Sequence, residues 1–201
     1  MSTMELQNNK STYIHPYKVI LYISFASILM FFAITTSALL VKKGDIVSWE
    51  AFKLPNIFYI STLILIGSSA LMHFAKNSYA NAKFTTSRFL LLLSILAFGV
   101  FIISQYFGLQ QLTSIGKPLS GNSSGSFVWV LVMAHAVHII GGLLFSSIIA
   151  IKAFINRNDK NFELNNKVNP KRLLAFELLN TYWHFMDFVW IYLFIFFYFN
   201  Y

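Results

Sequence analysis

The chain has 201 residues, of which 57% are hydrophobic and 11% charged. A soluble domain carries about 25% charged residues, so this composition excludes a water-soluble globule and points to a polytopic membrane protein. The net charge of +8 is spread over short connecting segments, which argues against nucleic acid as a partner, and the absence of cysteine excludes disulfides, thiolate metal sites and iron–sulfur clusters.

Residues 1–18 read as a polar tail, and residues 19–201 as one domain. No Asp, Glu, Lys or Arg falls between Lys18 and Lys42, Lys53 and Lys76, Arg88 and Lys117, or Lys117 and Lys152, and after Glu177 only Asp187 interrupts the apolar run. Each gap exceeds the ~20 residues that a spanning helix needs. The expected spans are roughly 19–41, 56–75, 89–109, 126–151 and 176–199. Each must be helical, because the bilayer core offers no water to its backbone groups. The fold class expected is therefore all-α, a membrane bundle of five helices. The first run is too long for the apolar core of a signal peptide and lacks a small-residue cleavage site.

Between the spans, Trp49 suits an interfacial anchor and Pro55 a helix start. Ser120–Gly125 reads as a turn, and 152–172 as the longest and most basic loop. Eleven Lys and Arg lie on the side of the amino-terminal tail, against Lys42, Lys43, Lys53 and Lys117 on the other. The positive-inside rule then places the amino terminus in the cytoplasm and the carboxyl terminus outside. Met30, Met133 and Met186 are expected in the core, the phenylalanines chiefly toward lipid, and Tyr198 and Tyr201 in an outer aromatic belt.

The last span holds the most informative residues. Glu177, Asn180, His184 and Asp187 follow spacings of three, four and three, so they share one helical stripe. Asp187 lies ~15 Å beyond Glu177, deep in the hydrocarbon, where a carboxylate costs about 2.5–3.5 kcal/mol and must face protein. In the fourth span His135, His138, Gly142 and Ser146 form a second stripe at similar depth. The two stripes are expected to meet, with His138 near Asp187. Hydrogen bonding between helices is the simplest use for these groups. A haem or metal held by the histidines, a proton path and a stand-alone small-solute transporter are the sharper alternatives. A di-iron oxygenase would need more histidines than the five present.

Glu177-Leu-Leu-Asn-Thr-Tyr182-Trp183-His184-Phe185-Met186-Asp187-Phe188-Val189-Trp190 resembles the final-helix signature of subunit III of the haem–copper respiratory oxidases. That signature has a glutamate, four residues, Tyr-Trp-His-Phe-Val-Asp and a Val-Trp. His135-Ala-Val-His138-Ile-Ile-Gly141-Gly142 is similar to the family's His-Gly-Leu-His-Val-Ile-Gly-Gly. Ala26-Ser-Ile-Leu-Met-Phe-Phe32, Ser61-Thr-Leu-Ile-Leu65 with Ser68 and Ser69, and Gln105 follow further family stretches. The chain departs from the pattern at Ile28 and Gly108, where the family carries acidic residues.

The resemblance implies the five-helix bacterial form of an accessory subunit without a redox centre, in a proton-pumping terminal oxidase of the cytoplasmic membrane. It implies haem and copper in partner subunits, packing on the catalytic subunit I, bound phospholipid, and no cofactor or metal on this chain. The electron donor, cytochrome c or quinol, and membership of a larger respiratory assembly stay open, with cytochrome c favoured. Glu177, Asn180, His184, Asp187, His135 and His138 are expected to act structurally.

Overall fold

A computed structural model describes residues 15–45, 49, 52–120, 123–155 and 170–201. Five helices account for nearly all of them: α1 (Pro16–Asp45), α2 (Ile57–Ala80), α3 (Phe84–Ser114), α4 (Ser123–Ile155) and α5 (Pro170–Asn200). There is no strand among the described residues. All five are long and apolar enough to cross a membrane. The protein is a multi-pass membrane bundle.

Each helix outruns its expected span, because charged and polar ends continue the helix into the interfacial layers. α1 opens at Pro16, within the expected tail, where a proline suits the first turn. Ser123–Gly125, read from sequence as part of a turn, already belongs to α4. Residues 156–169, most of the expected basic loop, lie outside the described residues.

Two helix ends close in the same way. At the end of α2, Lys83 N–H donates to the Ser78 carbonyl at 2.9 Å and Ala82 N–H to that of Tyr79 at 3.0 Å. At the end of α3, Lys117 N–H donates to Leu112 and Gly116 N–H to Thr113, both at 3.0 Å. This pairing consumes carbonyls the helix would otherwise leave bare, and it needs a left-handed residue at the turn. Gly116 adopts φ +76° freely, whereas Ala82 holds φ +57° against its own Cβ.

The buried faces repeat at alternate steps of three and four. In α2 they are Phe58, Ser61, Leu65, Ser68, Met72 and Ala75; in α3, Ser87, Leu91, Ser94, Phe98, Phe101 and Gln105. A 3.5-residue period gives left-handed packing of nearly parallel helix axes. Small serines in this seam let the backbones approach, and their hydroxyls are satisfied locally. Ser68 donates to Leu65 at 2.7 Å and Ser94 to Leu91 at 2.8 Å, while Ser87 crosses to the Ala75 carbonyl at 2.8 Å.

Among the described residues α5 packs chiefly on α1, α2 and α4, and α1 rests chiefly on α4 and α5. Phe25, Phe32, Phe58, Phe84, Phe98, Phe101, Phe176 and Phe197 are buried in the core, and the other described phenylalanines are partly or fully exposed. Of the methionines assigned to the core, Met186 is fully buried, but Met30 and Met133 are 64% and 49% exposed. A linear apolar run gives no direction to a methionine, and these two fall off the 3.5-residue stripe.

Candidate functional site

The last helix carries a ladder of polar and aromatic ties that reaches each of the other four. At its first turns Glu177 pairs with Lys18 of α1 at 3.0 Å; both are well exposed, so this pair adds little stability. Tyr182 donates to the His138 carbonyl of α4 at 2.6 Å. Trp183 donates Nε1–H to Ser146 of α4 at 3.1 Å and lies flat on Phe98 of α3, with ring centres 3.5 Å apart. His184 Nδ1 and Ser69 Oγ of α2 share a hydrogen bond of 2.7 Å.

Further along, Trp190 donates to Thr62 of α2 at 2.9 Å and meets Phe101 of α3 edge to face. Tyr192 and Thr36 of α1 share a bond of 2.7 Å. At the far end Lys43 of α1 donates to the Asn200 carbonyl at 3.0 Å, and Tyr201 donates to Ser124 of α4 at 2.6 Å. Burial pushes the Tyr201 phenol above its ordinary pKa, which keeps it a donor; its ring is half-buried beside Trp49 and Phe52. Tyr198, expected beside it, is 58% exposed.

The expected meeting of the two stripes is corrected by this geometry. Glu177, Asn180, His184 and Asp187 do not join His135 and His138 in one cluster. His184 turns to α2, with Ser69 bonded and His73 at 5.9 Å between ring centres, and Asp187 Oδ2 lies 3.7 Å from His184 Nδ1. Asn180 is buried near this side, at a recess also lined by Lys76. The α4 histidines separate as well. His138 Nδ1 donates to the Ala134 carbonyl of its own helix at 2.7 Å. His135 is fully buried among the rings of Phe32, Phe101 and Trp190. Trp183 lies between Ser146 of α4 and Phe98 of α3, and Trp190 among His135 of α4, Phe101 of α3 and Thr62 of α2, while His184 beside them faces Ser69 of α2.

Of the remaining family-motif positions, Phe185 stacks on Phe25 of α1 with ring centres 3.9 Å apart. Gln105 donates from α3 to Ser61 of α2 at 2.9 Å. Gly142 has a clear role, since a Cβ there would stand 2.6 Å from the Tyr182 ring. Gly108 explains its own departure from the family pattern: a Cβ would stand 2.5 Å from the Phe58 ring, which fills the room an acidic side chain would need. Ile28, the other departure, packs against the apolar core. Thr62, Thr36, Tyr192 and Phe98 were not singled out from sequence. The only signal available was a hydroxyl or ring falling on the helical face opposite a tryptophan or tyrosine.

Among the described residues no group of three His, Cys, Asp or Glu side chains could hold a metal ion. The bundle therefore defines a class: a polytopic helical membrane protein whose last helix fastens the rest through hydrogen bonds and ring contacts. The family model described as cytochrome c oxidase subunit III matches residues 13–201. The chain belongs to the cytochrome c oxidase subunit III family. It is 29% identical over 154 residues to cytochrome c oxidase subunit 3 of Bacillus subtilis, covering 76% of this chain and 69% of that protein. Likeness to the subunit 3 proteins of Corynebacterium diphtheriae and Schizophyllum commune is 27% over 136 residues and 26% over 179. Those matches cover 68% and 85% of this chain, and the chain spans 62% and 61% of those two relatives' lengths.

Proposed function

We propose that the chain is an accessory, non-redox subunit of a proton-pumping terminal oxidase of the cytochrome c oxidase type, and that it stabilises the catalytic subunit and binds membrane lipid. The single observation that carries this is the family match across nearly the whole chain, with its final-helix motif built into the fastening ladder of α5. In this reading haem and copper sit in partner subunits, and the amino terminus lies in the cytoplasm of a bacterium. The polar residues of α4 and α5 serve the packing of the bundle.

A stand-alone transporter or a haem cytochrome fits the geometry less well. His135 is walled in by three aromatic rings and His138 is tied to its own helix, so the two do not offer a pair of ligands to one haem. Purification of a tagged chain from native membranes tests the proposal. The expected result is co-purification of oxidase subunits with haem and copper spectra. A chain that purifies alone and moves solutes in liposomes, or alone shows a Soret band, overturns it.

A further inference from the structure

One end of the bundle holds a polar recess of about 220 Å³, lined by Lys18 and Tyr22 of α1, Lys76 of α2, and Glu177, Asn180 and Thr181 of α5. Lys18 pairs with Glu177 at 3.0 Å, which balances one lysine against the one carboxylate of the lining. Lys76 then leaves the described lining with one positive charge in excess. Asn180 is 7% exposed, and its Oδ1 is buried with no hydrogen-bond donor among the described residues. Tyr22 and Thr181 stand one turn, ~6 Å, deeper than Lys18 and Glu177, and Leu21 and Leu178 complete the wall. The recess thus passes from a charged rim to an apolar wall, as the boundary between headgroups and hydrocarbon does.

We infer that this recess seats the headgroup of one anionic phospholipid, a phosphodiester whose alcohol part carries hydroxyl donors, as glycerol does. The inference deepens the lipid-binding part of the proposed function and rests on it. A single phosphodiester charge matches the lysine excess, and its oxygens take Lys76 without disturbing the pair of Lys18 and Glu177. The Asn180 amide turns easily about its last torsion, and a hydroxyl of the headgroup meets the acceptor that the chain leaves unpaired. Ethanolamine or choline would instead bring its own cation beside the surplus lysine, and choline has no N–H or O–H to donate. A water-soluble phosphate ester gains nothing from Leu21 and Leu178, so the source is a lipid.

The test places the full chain in nanodiscs of phosphatidylcholine with a minor share of a probe lipid, and counts the probe molecules retained by native mass spectrometry. Phosphatidylglycerol is expected to be retained about tenfold better than phosphatidylethanolamine, and about threefold better than phosphatidylmethanol, which has the same charge but no hydroxyl. Lys76→Gln is expected to cut retention of phosphatidylglycerol about tenfold. Lys83→Gln removes the same charge from an exposed position outside the recess, and it leaves retention unchanged. Equal losses in the two lysine variants reduce the effect to general surface charge and overturn the inference. Equal retention of phosphatidylglycerol and phosphatidylmethanol, or retention of neither, overturns it as well. None of these results alters recovery of oxidase subunits with the tagged chain, whose failure overturns the proposed function instead.

Discussion

Adjacent glycines in α4 give the bundle's packing a sharp internal test. A methyl group on Gly142 would stand 2.6 Å and 3.2 Å from two carbons of the Tyr182 ring and 3.3 Å from Trp183, whereas one on Gly141 meets nothing within 4 Å. Forced overpacking of this kind costs about 1–3 kcal/mol. Moving the Tyr182 ring aside also breaks its 2.6 Å bond to the His138 carbonyl, worth about 0.6 kcal/mol inside a membrane. Gly142→Ala should therefore lose about 2–3 kcal/mol, while Gly141→Ala should gain up to about 1 kcal/mol from helix propensity. Unfolding of the detergent-solubilised chain by added SDS, followed by tryptophan fluorescence, measures both. In a Tyr182→Ala background the penalty at 142 should shrink, because its principal obstacle is gone. Two alanine variants of equal stability would refute the reasoning, and so would a penalty at 142 that persists unchanged without the tyrosine ring.

Gly108→Asp, which restores the family's acidic character, should destabilise by about 3 kcal/mol or more because Phe58 occupies the space; combined with Phe58→Ala, the loss should fall short of the sum of the single losses by about 1–2 kcal/mol in the same assay. Ala82→Gly should stabilise by about 1 kcal/mol by relieving the left-handed turn, and Gly116→Ala should cost a similar amount, both read from the SDS midpoint. Asp187→Ala should lower the amount of assembled oxidase, measured as haem per membrane protein, more than the turnover of the complex that forms. Normal assembly with sharply reduced turnover would contradict a structural role for that carboxylate.

The number of helices and their approximate ends were legible because charge gaps of more than twenty residues allow only spanning helices in lipid. So was the shared face of Glu177, Asn180, His184 and Asp187, since spacing fixes direction around a helix. Spacing does not name the neighbour in that direction. The turn of His184 to Ser69 depends on where the two tryptophans of α5 are seated, and that follows from Phe98, Phe101, Ser146 and Thr62 on three other helices. His135 and His138 looked alike in sequence, yet one is enclosed by rings and the other bonds its own backbone. The heptad-like spacing of serines in α2 and α3 was present in the sequence, and it marked the closest helix pair.

The claim that the last helix turns His184 to Ser69 of α2, rather than Asp187 to His138 of α4, can be measured directly because the chain contains no cysteine of its own. Cysteine pairs at 69 and 184, and at 138 and 187, treated in native membranes with a short bifunctional thiol reagent, separate the two arrangements. The structure requires efficient joining of the first pair and little of the second. Joining of 138 to 187, with 69 and 184 left unlinked, would contradict the account.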